Sequence, residues 1–227
     1  MKRADLISRL AEEIAAVVLP HPTRVAIDGI DAAGKTTLAE ELVAPLERME
    51  RRVVRASIDG FHRPRSERYR RGKDSPEGYY CDSFDHAAVR RDLLEPLGPG
   101  GDRRYRTAAF DYRKDAPVDS PLLQAPVDAI LLLDGVFLLR PELFGCWDLT
   151  IFVHVGFETS LARALERDLS LFGDGEAVRE RYEKRYIPGQ DLYFAESKPQ
   201  ERAAFVVFNE DVADPRLVIQ VQNGKRI

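Results

Sequence analysis

Gly29-Ile30-Asp31-Ala32-Ala33-Gly34-Lys35-Thr36-Thr37 follows the apolar run Arg24-Val25-Ala26-Ile27-Asp28 and precedes Leu38, Leu42 and Leu46, which recur every four residues. The segment matches Gly-x4-Gly-Lys-Ser/Thr, and its flanks supply the strand before and the helix after that this pattern requires. The residue types follow from phosphate chemistry. Glycines let the main chain wrap tightly, so that successive N–H groups point inward at phosphate oxygens. A helix opening near Lys35 brings its positive end to the same place. Lys35 adds a point charge for the β and γ phosphates, and Thr36 offers a hydroxyl to Mg²⁺. The stretch Gly29 to Thr37 therefore predicts a cradle for ATP with Mg²⁺, with Ile30, Asp31, Ala32 and Ala33 contributing main chain between the glycines. Asp31, inside the loop, either reaches the metal or an acceptor or simply stabilises the loop.

Outward from the cradle, strands and helices alternate. Leu6, Leu10, Ile14 and Val17 predict a helix over residues 5–18, ended by Pro20 and Pro22. The helix after Lys35 runs to about Glu47, with Pro45 ending or kinking it near its last turn. Further strands are predicted at 52–58, 129–134, 149–155 and 203–209, and an edge strand at 216–221. Residues 60–82 read as irregular, 85–97 as a helix, and 96–101 as a turn. Leu161, Leu165 and Leu169 mark another helix. Residues 170–178, with Gly173 and Gly175, read as a mobile stretch before a helix at about 176–186. This alternation predicts an α/β domain whose largely parallel sheet is covered on both faces.

Acidic residues at strand ends are candidates for the chemistry, because ligands collect at the carboxyl ends of strands in doubly wound sheets. Asp134 ends the run Ile130-Leu131-Leu132-Leu133 and is the candidate partner for the metal, beside Thr36. Asp59 ends the second strand, where a carboxylate faces the γ phosphate. There it acts as the base that takes a proton from an attacking hydroxyl, or it positions the metal. Arg163 and Arg167 lie four apart on one helix face and are candidates to neutralise transferring phosphate oxygens. Arg179, Arg181 and Arg185 follow on a segment able to close over the nucleotide and exclude water. Residues 61–82 and 103–112 are rich in Arg and Tyr. From them His62, Tyr79, Asp82, Phe110 and Asp111, with Asp59, are the candidate acceptor contacts: aromatic faces and polar groups suit a flat ring bearing hydroxyls. The basic run equally suits an acceptor that already bears a phosphate.

The chain has 227 residues, 44% hydrophobic and 32% charged, with a formal net charge of −4. That length and composition fit a single domain over residues 1–227. Within it lie an N-terminal helical segment (1–22), an acceptor-side insertion (about 60–125) and a lid region (about 160–190). The acidic balance argues against a general nucleic-acid binder. Two cysteines, Cys81 and Cys146, form no metal or disulfide pattern. No apolar run approaches the roughly 20 residues that span a bilayer, and the N-terminus lacks a signal-peptide core. A cytoplasmic location, no membrane partner and a small-molecule substrate are the expectations, with the oligomeric state left open and a homo-oligomer included.

Taken together, these motifs resemble the uridine kinase-like group of P-loop kinases, which also includes phosphoribulokinase and bacterial pantothenate kinase. The resemblance rests on the Walker A loop, on Ser57-Ile58-Asp59-Gly60-Phe61-His62, on Tyr80-Cys81-Asp82-Ser83-Phe84-Asp85, on Leu133-Asp134-Gly135-Val136, on Arg163 to Asp168 and on Tyr186-Ile187-Pro188-Gly189-Gln190. It spans roughly residues 24–210. It implies the P-loop NTPase three-layer sandwich, with a doubly wound sheet of about five parallel strands and a small helical lid. It also implies ATP with Mg²⁺, transfer to a primary hydroxyl, and Asp59 as base. Two departures stand out: Asp134 replaces the usual Glu, and Gly78 to Asp82 replaces the usual Phe-Asp-His-Pro of the nucleoside pocket. The expectation is an ATP-dependent kinase of a nucleoside-like hydroxyl. The alternatives are pantothenate, a sugar phosphate or another alcohol as acceptor, or an NTPase with a regulatory role.

Overall fold

A computed structural model describes residues 1–168, 173–222 and 225–226. The strands that build its main sheet are β1 (Thr23–Gly29), β2 (Val53–Ser57), β3 (Ile130–Gly135), β4 (Leu149–His154), β5 (Phe205–Phe208) and β6 (Arg216–Ile219). Their order across the six-stranded sheet is β6-β5-β4-β1-β3-β2. The first five are mutually parallel, as the pattern predicts, and β6 adds a sixth strand that runs antiparallel to β5. β1 lies between β3 and β4, so the chain winds outward from it in both directions. Ile27 of β1 and Ser57 of β2 are both registered with Asp134 of β3. That register brings the loop after β1, the turn after β2 and the end of β3 to one level at the carboxyl edge of the sheet.

Side chains alternate across the sheet and build a core on each face. Val25, Ile27, Leu132 and Ile151 pack with Leu6, Leu10 and Ile14 of α1 (Arg3–Ala15) and with Leu38, Leu42 and Leu46 of α2 (Lys35–Arg48). Ala26, Leu131, Leu133 and Phe152 face Phe61, Val89, Leu93, Phe137 and Tyr193 on the other side. Burying each such large apolar side chain contributes about 2 kcal/mol. Pro45 sits in the last turn of α2, which runs on to Arg48. A proline there removes one bond close to the end of the ladder, so the helix continues past it.

The remaining helices form the rim above the carboxyl edge. The longer of them are α3 (Pro76–Asp82), α4 (Phe157–Arg167), α5 (Gly175–Arg181) and α6 (Ile187–Ser197). The segment read as irregular thus contains a helix. Ser75 caps α3 by accepting from Gly78 N at 2.9 Å, and Pro76 stands at its first turn. The expected helix at 85–97 is a short α-turn, His86–Val89, that continues as a π-type turn through Arg90–Leu94. Asp174 caps α5, accepting from Ala177 N at 2.8 Å. Leu169 and residues 170–172 of the stretch read as mobile lie outside the described residues. Two small hairpins, Arg104–Tyr105 with Leu123–Gln124 and Phe110–Asp111 with Ala116–Pro117, stand between β2 and β3. Among the described residues no helix is long and apolar enough to cross a membrane.

Candidate active site

The loop after β1 closes as its sequence requires. Gly34 has φ 93°, and a Cβ there would lie 2.8 Å from Asn209 Nδ2. The loop therefore passes too close to β5's exit for a side chain, in a conformation that favours glycine. Asn209 donates to Ala33 O at 2.8 Å, and Ser160 of α4 donates to Asp31 O at 2.7 Å, so the loop is pinned from two sides. Ile30 and Ala33 are buried beneath it, and Ala32 takes a left-handed φ of 54°. Lys35 is buried and donates to Ile30 O at 2.6 Å. Burial pushes its amine downward, while Asp31, Asp28, Asp134 and Asp59, in that order, hold it up. Thr37 lies exposed in the first turn of α2.

Thr36 Oγ1 donates to Asp134 Oδ2 at 2.6 Å, and Arg55 of β2 donates to the other oxygen of Asp134 at 2.7 Å. Asp134 is 2% exposed. A hydroxyl and a carboxylate side by side at a helix N-terminus are hard oxygen donors of the kind Mg²⁺ takes, and this ion needs few protein ligands when phosphates supply the rest. Among the described residues no three His, Cys, Asp or Glu side chains converge on a metal unaided. The donor set fits a metal shared with phosphate.

Asp59 sits in a 3₁₀ turn, Ile58–Phe61, that follows β2. Its side chain keeps 59% of its surface open to the cleft, although the surrounding protein strips enough water to push its carboxyl upward. His62 opposes that shift, and Asp31 adds to it. His62 Nδ1 lies 3.0 Å from Asp59 O. Its ring is tilted against Phe84 at 4.5 Å and Tyr112 at 4.9 Å between centroids. Burial lowers the His62 imidazole below its usual range. Ala109 N donates to Gly60 O at 2.8 Å, which brings the Phe110–Asp111 hairpin beside Asp59. Phe110 is buried there, whereas Asp111 accepts from Arg113 N and Lys114 N in its own turn.

Other expected residues are placed differently. Asp82 is buried and accepts from Arg70 at 2.6 Å and Arg71 at 2.8 Å. Its carboxylate therefore faces the helix-flanking loop and not Asp59. Tyr79 is buried, with its hydroxyl on Asp31. Arg163 donates to the main-chain oxygens of Asn209 at 2.7 Å and Glu210 at 3.0 Å. It thus braces the wall behind the phosphate loop instead of facing a phosphate. Arg167 pairs with Asp168 at 2.7 Å, lies 3.4 Å from Tyr182 OH and keeps 57% of its side chain exposed. Arg181 and Arg185 are buried and donate to main-chain oxygens of residues 72–75, clasping the acceptor-side loop to the lid.

Several members of the site escape a reading by strand ends and motifs alone. Asp28 is fully buried under the loop. It accepts from Tyr193 OH, from Gly29 N at 2.8 Å and from Leu138 N at 3.4 Å, and burial raises its carboxyl to about 6 despite these donors. Asp28 reads in the sequence only as the last residue of a strand. Arg55 reads as an interior strand residue, and Gln190 only as the last residue of the segment Tyr186-Ile187-Pro188-Gly189-Gln190. The available signal was positional: each lies one or two turns or pleats from a residue already singled out.

No family model matches the chain. Among curated proteins it is similar to uridine-cytidine kinase B of Dictyostelium discoideum, 30% identical over 206 residues that cover 90% of this chain and 83% of that protein. It is also similar to the uridine kinase of Leuconostoc citreum, 25% identical over 196 residues, 83% of this chain and 88% of that one. Among solved structures, a possible uridine kinase of Bacillus stearothermophilus superposes with a TM-score of 0.71 at 21% identity, over 89% of this chain and 97% of that one. At that identity the superposition speaks for the fold.

Proposed function

The chain belongs to the uridine kinase-like family of P-loop kinases, and from that membership we propose how its residues divide phosphoryl transfer from ATP to a nucleoside-like alcohol. The protein is a phosphotransferase with an alcohol group as acceptor. The loop Gly29 to Thr37 binds the triphosphate by main-chain N–H groups, and Lys35 reaches the β and γ oxygens. Thr36 and Asp134 are the residues that would hold Mg²⁺, which when bound neutralises phosphate charge. Asp59 takes the proton of the attacking hydroxyl, favoured in that task by a carboxyl held above the ordinary aspartate range. His62, Phe110 and Tyr112 wall the acceptor against Asp59. Arg167, open at the rim, is the lid cation that meets transferring oxygens when the lid (about 160–190) closes. Arg163 acts behind it by fixing Asn209 and Glu210.

One observation carries this reading. Ile27 of β1 and Ser57 of β2 are both registered with Asp134 of β3, so Asp59, two residues past Ser57, and the loop Gly29 to Thr37 leave the sheet at the same carboxyl edge, where base and phosphate must meet. A nucleoside-like acceptor is favoured by the names of the similar proteins and by the aromatic walls beside Asp59. The same reading sets the protein in the cytoplasm, where the free thiols of Cys81 and Cys146 suit a reducing compartment. The test is purified protein with ATP, Mg²⁺ and a panel of nucleosides and other alcohols, following ADP release and product mass. ADP release that rises at least tenfold only when uridine or cytidine is present supports the proposal. Equal ADP release with and without every acceptor overturns it.

A further inference from the structure

A carboxylate inside a phosphate cradle is an electrostatic problem, because it repels the triphosphate and attracts the lysine meant for it. Asp31 is such a carboxylate, and of the four aspartates acting on Lys35 it exerts the largest pull. Its Oδ2 accepts from Tyr79 OH at 2.6 Å and from Gln190 Nε2 at 2.5 Å, while its main-chain oxygen is fixed by Ser160 at 2.7 Å. The two side-chain donors come from different rim helices, α3 and α6. These helices meet so closely that a Cβ on Gly189 would lie 2.7 Å from Tyr79 Cδ1 and 3.0 Å from Pro76 O. Tyr79 is further fixed by ring contacts with Phe137 and Tyr186. Both donors are neutral, so they hold the carboxylate without adding a competing charge to the cradle.

Resting on the kinase reading above, we infer that Tyr79 and Gln190 are positioning residues for the nucleotide: together they hold the Asp31 carboxylate off Lys35 and out of the phosphate path. Without one of them, Asp31 is free to swing onto the Lys35 ammonium, and ATP must then displace an internal ion pair. Tyr79 thus acts through Asp31, and its hydroxyl serves the donor side of the reaction, not the acceptor.

The test is calorimetric binding of ATP with Mg²⁺ to the wild-type chain, to Tyr79→Phe, and to Tyr79→Phe combined with Asp31→Asn. One lost hydrogen bond to a charged group corresponds to about tenfold in affinity. Tyr79→Phe is therefore expected to weaken ATP by about that factor, and Asp31→Asn in the same chain to restore it to within about twofold. A merely structural tyrosine gives no such rescue. If Tyr79→Phe does not fold, as judged by circular dichroism, Gln190→Leu with and without Asp31→Asn takes the same test. The inference is overturned if the double variant binds ATP as weakly as the single one. It is also overturned if the single variant binds ATP normally and raises only the acceptor KM. Absence of ATP uptake by the wild-type chain overturns the kinase reading itself, together with this inference.

Discussion

Asp59 is the residue on which the chemistry turns, and its surroundings set its working range. Its carboxyl is raised above the aspartate value of 3.8, chiefly by desolvation. A base must be ionised to accept a proton, so turnover falls as pH drops through that raised value and is full above it. Asp59→Asn is expected to keep ATP affinity near wild type while lowering kcat by about 10²-fold or more, and to abolish the acid limb of the pH–rate profile. A variant with the wild-type kcat, or an acid limb unchanged by the substitution, refutes the assignment. Asp59 and Asp134 were legible as candidates because each closes a strand, where such sites gather, and Lys35 because the glycine-rich loop motif fixes its position. Asp82 was not, because its role is fixed by partners: Arg70 and Arg71, eleven or twelve residues earlier, fold back onto it. Arg163 and Arg167 share a helix face as the spacing predicts. Which oxygen each guanidinium meets depends on Asn209 and Asp168, which spacing does not reveal.

Among the elements, α6 ties the rim to the floor of the site. Its Gln190 holds Asp31, and its Tyr193 donates to Asp28 and accepts from Leu139 N at 3.0 Å. Pro188 and Gly189 near its start hide this helix from a periodicity reading, although a proline in the first turn is itself a start signal. Ser75-Pro76-Glu77 announces α3 in the same way and is masked by the arginines around it. The α6 contact predicts a pH-dependent stability. Folded Asp28 titrates at about 6, above the roughly 3.9 of an unfolded aspartate, so the native state holds an extra proton between these values. The stabilisation from that proton is complete below about 4 and lost as pH rises through about 6, after which Asp28 is an ionised, buried carboxylate dependent on its donors. Tyr193→Phe removes one donor to it and the acceptor of Leu139 N. The expected loss is about 2–3 kcal/mol at pH 8 and about 1 kcal/mol at pH 5, where the carboxyl is mostly protonated. Urea unfolding at the two pH values measures the difference, and equal losses remove Asp28 as the cause.

Over the whole molecule, the alternation of apolar runs and helical periods was enough to predict a two-faced parallel sheet, because both faces of each strand must be buried. The strand order was not legible. It depends on which way each connection crosses, and an apolar strand such as β3 carries no mark of its neighbours. Nor does the sequence announce that Lys35 is buried at the carboxyl edge with Asp28, Asp31, Asp59 and Asp134 near enough to act on its charge. That crowding of like charge is a cost to the ligand-free fold, and it is offset when Mg²⁺ enters with the nucleotide. The stability of the domain should therefore be linked strongly to nucleotide. At an ATP concentration 100 times its Kd, mass action contributes about 2.7 kcal/mol. For a chain of 227 residues that corresponds to a rise in Tm of about 5–10 °C. Lys35→Ala takes the loop's own positive side chain out of the cradle and leaves the aspartates facing the phosphates. Its nucleotide-dependent shift should fall below about 2 °C even at millimolar ATP with Mg²⁺. Its ligand-free Tm should fall below that of wild type, because removing the ammonium leaves the buried carboxylates of Asp28 and Asp134 without its counter-charge. Differential scanning fluorimetry of both chains, with and without nucleotide, reads both effects at once, and a full-sized shift in the variant removes Lys35 from the phosphate site.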